Sequence, residues 1–153
     1  MKEFDYDLNY KELNFKDEGN RELYRIGRGE QGVLLVRPYT DNICAHWRFK
    51  TPEIAVESSN KIFAMYLDYR DEEDFIGMDM CRKFLEMGFT RSRRYANHRD
   101  GKKYDKEGNV VPQEKDHATC HFAKSANIFK KVRDIVAKNE TYVKMRKQWR
   151  SEE

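Results

Sequence analysis

Apolar residues repeat at helical spacing from residue 51 onward, and this pattern constrains the fold more than any other feature of the chain. Thr51 followed by Pro52 is typical of a helix start, because the threonine hydroxyl can accept a hydrogen bond from an unpaired backbone N–H and proline fits the first turn. The spacing predicts two helices over residues 51–99 and further helices over residues 113–153. We therefore expect a mainly helical chain.

A short apolar run earlier in the chain predicts a small amount of β structure. Val33–Val36 follows a glycine and ends before Pro38, which is typical of a buried strand, and residues 43–49 are its candidate partner. We therefore predict a two-stranded β element within residues 31–50. Residues 1–30 alternate aromatic and charged side chains, which predicts an extended arm.

Together these segments predict an α+β fold that is mainly α. Three to four helices are expected to pack around the small two-stranded β element, with the extended arm at the N-terminus. Residues 100–112 contain two glycine turns and predict a turn-rich loop or a small hairpin. The length favours a single domain over residues 1–153.

Composition argues against several classes of protein. Hydrophobic residues make up 39% of the chain and charged residues 37%, and no stretch approaches the roughly 20 apolar residues of a membrane-spanning helix. The first residues lack the apolar core of a signal peptide, and three scattered cysteines are typical of free thiols in a reducing compartment. We therefore expect a cytoplasmic protein without membrane contact, a metal site or a cofactor.

The strongest functional signal is a basic segment with aromatic residues at positions 91–104. It holds six basic residues and one acidic residue. Arginine pairs with phosphate, tyrosine rings stack on bases, and asparagine can bind a base edge. The alternative is a solvated helix end whose arginines pair with nearby acids. We predict binding of nucleic acid or another phosphate-bearing ligand through Arg91, Arg93, Arg94, Tyr95, Asn97, His98, Arg99, Lys102, Lys103 and Tyr104.

A second basic segment precedes the first long helix. In a strand, alternation places His46, Arg48 and Lys50 on one face and Trp47 and Phe49 on the other. The basic face is suited to phosphate or carboxylate, so Arg48 and Lys50 join the predicted anion-binding residues. The alternative is a core strand whose polar face is only solvated.

Two motifs resemble functional sites but lack the context that such sites need. Gly27–Gly32 matches G-x-G-x-x-G, yet it precedes a predicted strand instead of following one, which favours a glycine-rich turn. His117 and His121 are four residues apart, but a zinc site needs three or four ligands. Since no spacing links acids and histidines into a catalytic set, we predict no catalytic residue.

Three stretches of the chain resemble one protein family. They read ELYRIGRGEQGVLLVRPY, HWRFKTPEIA and GMDMCRKFLEMGFTRSRRYANHRDGKKYD, and they cover most of residues 22–105. On these stretches the chain resembles a family of small phage and bacterial proteins defined by a domain of unknown function, DUF4385. The resemblance implies a phage-type or bacterial cytoplasmic protein, and it brings no activity, cofactor or catalytic residue.

Three functional hypotheses follow from these features. The first is a non-enzymatic accessory protein that binds nucleic acid through its basic face. The second is a protein-binding modulator of a host enzyme or defence factor, acting through the acidic arm or through Tyr142, Met145 and Trp149 on the last helix. The third is a small enzyme acting on a nucleotide or nucleic acid, with His46, His98 and the arginines in one pocket.

Overall fold

All regular secondary structure in residues 2–153, the part of the chain that the computed structural model describes, is helical. One isolated antiparallel β-bridge joins Tyr104 and Val110. Within the same residues, no helix has the length and apolar character needed to cross a membrane. The elements are a 3-10 turn at Tyr10–Glu12 and the helices α1 (Glu18–Arg21), α2 (Tyr39–Cys44), α3 (Pro52–Asp71), α4 (Phe75–Asn97), α5 (His121–Lys138) and α6 (Glu140–Ser151).

Side-chain caps begin three of the four long helices. Thr51 caps α3 and Asp74 caps α4, each by accepting a hydrogen bond from the backbone N–H three residues later, at 3.2 and 3.3 Å. Asn139 caps α6 in the same way, at 3.4 Å. Each cap satisfies a backbone donor that has no partner inside its helix, so these polar residues locate the helix starts.

Helices α3, α4 and α5 form a three-helix bundle. Phe49, just before α3, contacts Phe122 in the first turn of α5, and the Tyr66 hydroxyl near the end of α3 donates to Asn139 after α5 (2.8 Å). These two helices therefore run in the same direction. Helix α4 runs the opposite way, since Tyr95 near its C-terminus also contacts Phe122. The starts of α3 and α5 and the end of α4 thus lie together at one end of the bundle.

The predicted two-stranded β element at residues 31–50 is wrong, and with it the α+β fold class. Val33–Val36 lies in consecutive turns closed by backbone hydrogen bonds of 3.0 Å, and residues 39–44 form α2. Residues 47–49 have no regular secondary structure and no paired strand in the described chain. Leu34 is half-exposed while its apolar neighbours pack inward. A run of four apolar residues cannot distinguish a buried strand from turns, and here the turns bury Val33 and Val36 but leave Leu34 half-exposed.

The N-terminal residues, predicted as an extended arm, pack into the core of the protein over residues 2–30. Phe4, Phe15, Tyr24 and Ile26 are all buried there, and the segment includes the 3-10 turn and α1. The alternation of aromatic and charged residues thus separates side chains that enter the core from side chains that face solvent.

Gly88 allows the close crossing of α4 and α5. A Cβ atom at this position would lie 2.4 Å from the ring of Phe129, which is fully buried. We expect Gly88→Ala to lower the free energy of unfolding by about 2 kcal/mol, although alanine favours helix, because the ring and backbone must shift. Urea unfolding measures the change. Gly19→Ala is the matched control, since a Cβ added at Gly19 would have no neighbouring atom within 4 Å. Equal stability of the two variants would contradict the prediction.

Candidate nucleic-acid interface

An open groove lies at the end of the bundle where α3 and α5 begin and α4 ends. Its volume is about 1070 Å³. The walls come from the segment before α3, the first turns of α3, the last turns of α4 and the first turn of α5. The lining residues are Cys44, Ala45, His46, Trp47, Arg48, Phe49, Lys50, Ile54, Glu57, Ser58, Lys61, Tyr95 and Phe122.

Four aromatic side chains form the floor of this groove. The ring centroids of Trp47 and Phe49 are 5.1 Å apart, those of Phe49 and Tyr95 are 5.8 Å apart, and those of Tyr95 and Phe122 are 5.4 Å apart. Such separations are typical of favourable aromatic pairs. All four side chains are only half-buried. They therefore hold one another in place while part of each ring surface remains accessible.

Basic side chains surround the aromatic floor. Arg48, Lys50 and Lys61 are exposed at the groove, as is His46, whereas Glu57 is the one acidic residue of the lining. Lys50 and Lys61 form no ion pair with any residue of the described chain, 2–153. The groove therefore carries an excess of positive charge, and two of its ammonium groups are available to a ligand.

Ser58 on α3 positions the basic segment before that helix. Its Oγ donates to the His46 carbonyl at 2.7 Å and accepts from the Arg48 N–H at 3.0 Å. The Arg48 guanidinium also donates to the carbonyls of Cys44 and Trp47, at 3.2 and 2.6 Å, through the same nitrogen, Nη1. Because a guanidinium has five N–H donors, the remaining ones stay available for an anion.

Two helix N-termini also point their partial positive charge toward this end of the bundle. Lys50 precedes the start of α3, and Phe122 lies in the first turn of α5. Cys120, at the N-cap of α5, makes no side-chain capping hydrogen bond. The N–H groups of a helix start favour nearby anions, so they add to the field of the basic side chains.

Part of the predicted basic segment is engaged within the protein. Arg93 donates to the Asn97 side chain at 2.6 Å, and Arg99 lies 3.7 Å from the Glu114 carboxylate. His98 is buried, and its Nδ1 has no hydrogen-bond partner in the described chain. These side chains hold the end of α4 and the loop that follows it, so they are less available to a ligand than the sequence suggested.

Other members of the predicted set are exposed. Arg91, Arg94, Lys102 and Lys103 face solvent and make no ion pair within residues 2–153. Tyr104 is also exposed, and the Lys103 Nζ lies 5.7 Å from the centroid of its ring. The lysines and Tyr104 belong to the loop after α4, whereas Arg91 and Arg94 precede Tyr95 on the helix itself.

The two histidines of the enzyme hypothesis do not share the groove. His46 lines it, but His98 is buried after the end of α4 and is not among the lining residues. The enzyme hypothesis depended on convergence of these side chains in one pocket, so it loses its structural support.

Sequence reasoning missed Ser58, Lys61 and Phe122 as parts of the interface. Phe122 has helical spacing with other apolar residues of α5, a pattern typical of a core position and not of a binding surface. Lys61 lies on an exposed helix face, where a lysine carries no distinguishing signal. Only the parallel arrangement of α3 and α5 brings these residues to the same groove.

A buried charge cluster lies further along α4, outside the groove lining. The fully buried Asp79 carboxylate accepts hydrogen bonds from the Tyr24 hydroxyl, from Arg82 Nε at 2.8 Å and from the Tyr142 hydroxyl at 2.6 Å. Burial alone would raise the pKa of Asp79, but the charges of Arg82 and Lys83 and these hydrogen bonds lower it to about 2. The cluster ties the N-terminal segment, α4 and α6 together.

Lys83 is the least well satisfied member of this cluster. Its buried Nζ lies 3.5 Å from the Arg25 carbonyl and faces the rings of Phe4 and Tyr24, at 5.2 and 4.8 Å from their centroids. Burial lowers the pKa of Lys83 to about 7, and the Asp79 carboxylate opposes that shift only in part. Aromatic faces attract the ammonium but do not replace its hydration.

The side chains of α6 that the second hypothesis assigns to partner binding pack inward instead. Tyr142 is buried, Met145 packs against the core, and the Trp149 ring stacks on Phe75 with centroids 5.3 Å apart. The Trp149 Nε1 donates to the Tyr24 carbonyl at 3.2 Å. This face of α6 is therefore already occupied within the chain.

The fold and the groove define an all-helical protein with a basic, aromatic-floored surface groove. The chain belongs to the family described as Domain of unknown function (DUF4385), whose match spans residues 5–152. The match confirms the resemblance seen in three stretches of the sequence and includes the C-terminal helices. No curated protein and no solved structure matches the chain.

Proposed function

We propose that this protein is a cytoplasmic accessory protein that binds single-stranded nucleic acid in the groove. Unpaired bases stack on the accessible parts of the aromatic floor, and Arg48, Lys50 and Lys61 contact the phosphates. Aromatic side chains inside a positively charged groove are the usual means of binding single strands without sequence preference, because every base has a face that can stack.

The position of Tyr95 is the observation that most supports this proposal. Tyr95 belongs to the basic segment at the end of α4, and its ring lies 5.8 Å from that of Phe49 in the other basic segment. Two segments that are distant in sequence, each predicted to bind anions, thereby contribute to one surface. A solvated helix end would not require its tyrosine to pack beside the aromatic residues of the second segment.

The charge distribution extends this surface along α4. Arg91 lies one helical turn before Tyr95, so the two side chains share a face of the helix. Arg94 is exposed next to Tyr95 in sequence. A nucleic-acid strand that leaves the groove along α4 would therefore meet further guanidinium groups suited to phosphate.

Fluorescence anisotropy with labelled single- and double-stranded DNA and RNA tests the proposal. We expect the wild type to bind single strands more tightly than duplexes, with an affinity that falls between about 50 and about 200 mM salt. The variant Lys50→Gln/Lys61→Gln removes two phosphate-binding charges from the rim. Its slope of log K against log salt concentration should be smaller in magnitude by about 1.4 than that of the wild type.

Matched variants separate this site from general charge effects. Lys144→Gln/Lys147→Gln makes the same charge change on exposed lysines of α6 and should keep the wild-type slope. Tyr95→Leu should weaken binding about tenfold without changing the slope, whereas Tyr95→Phe should bind like the wild type. The proposal fails if nothing binds at about 50 mM salt, or if both lysine pairs cause equal losses.

A further inference from the structure

A hairpin loop at residues 102–111 carries an exposed apolar pair. Two backbone hydrogen bonds, of 2.9 and 2.8 Å, flank the antiparallel bridge between Tyr104 and Val110. With hydrogen bonds on either side, this is the pair type in which opposite side chains approach most closely. Tyr104 is 56% exposed and Val110 is 62% exposed. The two side chains therefore form one continuous apolar surface that no other part of the described chain covers.

The hairpin is anchored beside the groove. Gly101, which precedes it, packs against Tyr95, since a Cβ at Gly101 would lie 2.9 Å from that ring. Glu114, which follows it, donates its N–H to the Asn97 carbonyl at 2.8 Å and accepts from the Arg99 N–H at 3.2 Å. Both ends of the hairpin are thus held at the end of α4, and one of them contacts an aromatic residue of the groove floor.

The charge of the hairpin differs from that of the groove. Residues 102–111 hold three lysines and two acidic residues, so the hairpin has little net charge. One of the acids, Asp105, accepts backbone hydrogen bonds that close the turn. Long-range attraction for phosphate therefore comes mainly from the groove, and the distinguishing feature of the hairpin is its apolar pair.

We propose that Tyr104 and Val110 pack against the terminal base pair of a duplex whose unpaired strand enters the groove. The protein then recognises a junction between single- and double-stranded nucleic acid, an inference that rests on the proposed function of the groove. The last base pair of a duplex has an unstacked, flat and largely apolar face, which suits a tyrosine ring beside a valine.

Anisotropy titrations with three labelled DNAs test this inference: an unpaired strand, a blunt duplex and a duplex with an unpaired extension. We expect the wild type to bind the junction about tenfold more tightly than the unpaired strand, as stacking of one base pair would produce. Tyr104→Ser/Val110→Ser should remove that preference, so that the variant binds the junction and the unpaired strand with equal affinity, and it should keep the wild-type salt dependence because it changes no charge. Circular dichroism verifies that the variant is folded.

The control removes the same residue types at similar exposure elsewhere. Tyr6→Ser/Val143→Ser changes side chains that are 61% and 49% exposed, on the N-terminal segment and α6, and should keep the junction preference. Equal wild-type affinity for junction and unpaired strand would overturn the junction inference and leave the groove proposal standing. A preference that survives in the hairpin variant would overturn it too. Failure to bind any of the DNAs would overturn both proposals.

Discussion

Asp79→Ala is expected to lower the free energy of unfolding by about 4 kcal/mol, a large part of the stability of a typical domain. The carboxylate is fully buried and accepts hydrogen bonds from Tyr24, Arg82 and Tyr142. Its removal leaves the Arg82 guanidinium in the core without a counter-charge and two phenol hydroxyls without their acceptor. The cost is large because the groups left behind remain desolvated.

Urea unfolding followed by circular dichroism measures this loss. Asp41→Ala is the control, because that exposed carboxylate lies 3.5 Å from Arg37 on the surface. Its removal should lower the free energy of unfolding by less than about 1 kcal/mol. Asp79→Asn retains a hydrogen-bond acceptor but removes the charge, so its stability loss should lie between those of Asp79→Ala and Asp41→Ala. If Asp79→Ala proves as stable as Asp41→Ala, the cluster does not hold the N-terminal segment and α6 to α4.

The same carboxylate predicts a loss of stability in acid. Its pKa is lowered from 3.8 to about 2 in the folded protein, so the folded state favours the ionised form more than the unfolded state does. The contribution of ionised Asp79 to the free energy of unfolding is therefore fully present above about pH 4 and is lost as the pH falls toward about 2. Asp79→Asn should abolish this part of the acid dependence.

Lys83→Met is expected to raise the free energy of unfolding by about 2 kcal/mol at pH 7 and to lose that advantage by about pH 9. The pKa of Lys83 is lowered from 10.5 to about 7 by burial. Below pH 7 both states are protonated, and the folded protein bears the full cost of a buried ammonium. Between pH 7 and about 10 the unfolded chain binds the extra proton, so wild-type stability rises with pH.

The groups that surround Lys83 come from each element packed against it. Asp79 and Arg82 lie on α4, Arg146 and Arg150 on α6, and the Arg25 carbonyl on the N-terminal segment. Because one carboxylate faces several cations, methionine removes an excess charge and leaves the Asp79–Arg82 pair in place. Unfolding free energies at pH 7 and pH 9 for both proteins provide the measurement. If the unfolding free energies of the wild type and the variant change by the same amount between pH 7 and pH 9, Lys83 does not titrate in this range.

The helices that the sequence predicted best are those with local signals at their starts. Thr51 and Pro52 begin α3, and the acidic run before Phe75 supplies Asp74 as the cap of α4. These signals act over one helical turn, so they can be seen without knowledge of the tertiary structure. The predicted start of the third long helix at residue 113 is too early, because residues 113–120 contain turns at 115–119 and no helix, and α5 begins at His121.

The erroneous strand pair shows where local signals stop being sufficient. Val33–Val36 has the composition of a buried strand, but a strand also needs a partner for its backbone hydrogen bonds. The chain satisfies several of those groups through turn hydrogen bonds and through the Thr40 hydroxyl, and α2 occupies the residues between the two predicted strands and the start of the second. The choice between turns and a strand depends on what packs against the segment, which four residues do not encode.

For the candidate site, as for the fold, some features follow from the sequence and others only from the tertiary structure. The sequence by itself determined the kinds of side chain present: arginines, lysines and tyrosines near the end of α4, and basic and aromatic residues before α3. Only the tertiary structure decided which of them share a surface. The packing of α3 and α5 against α4 brings Tyr95 to Phe49 and Phe122, while it places His98 in the interior. The physical reason is that charge and aromatic character are properties of single residues, whereas a groove exists only where separate helices end together.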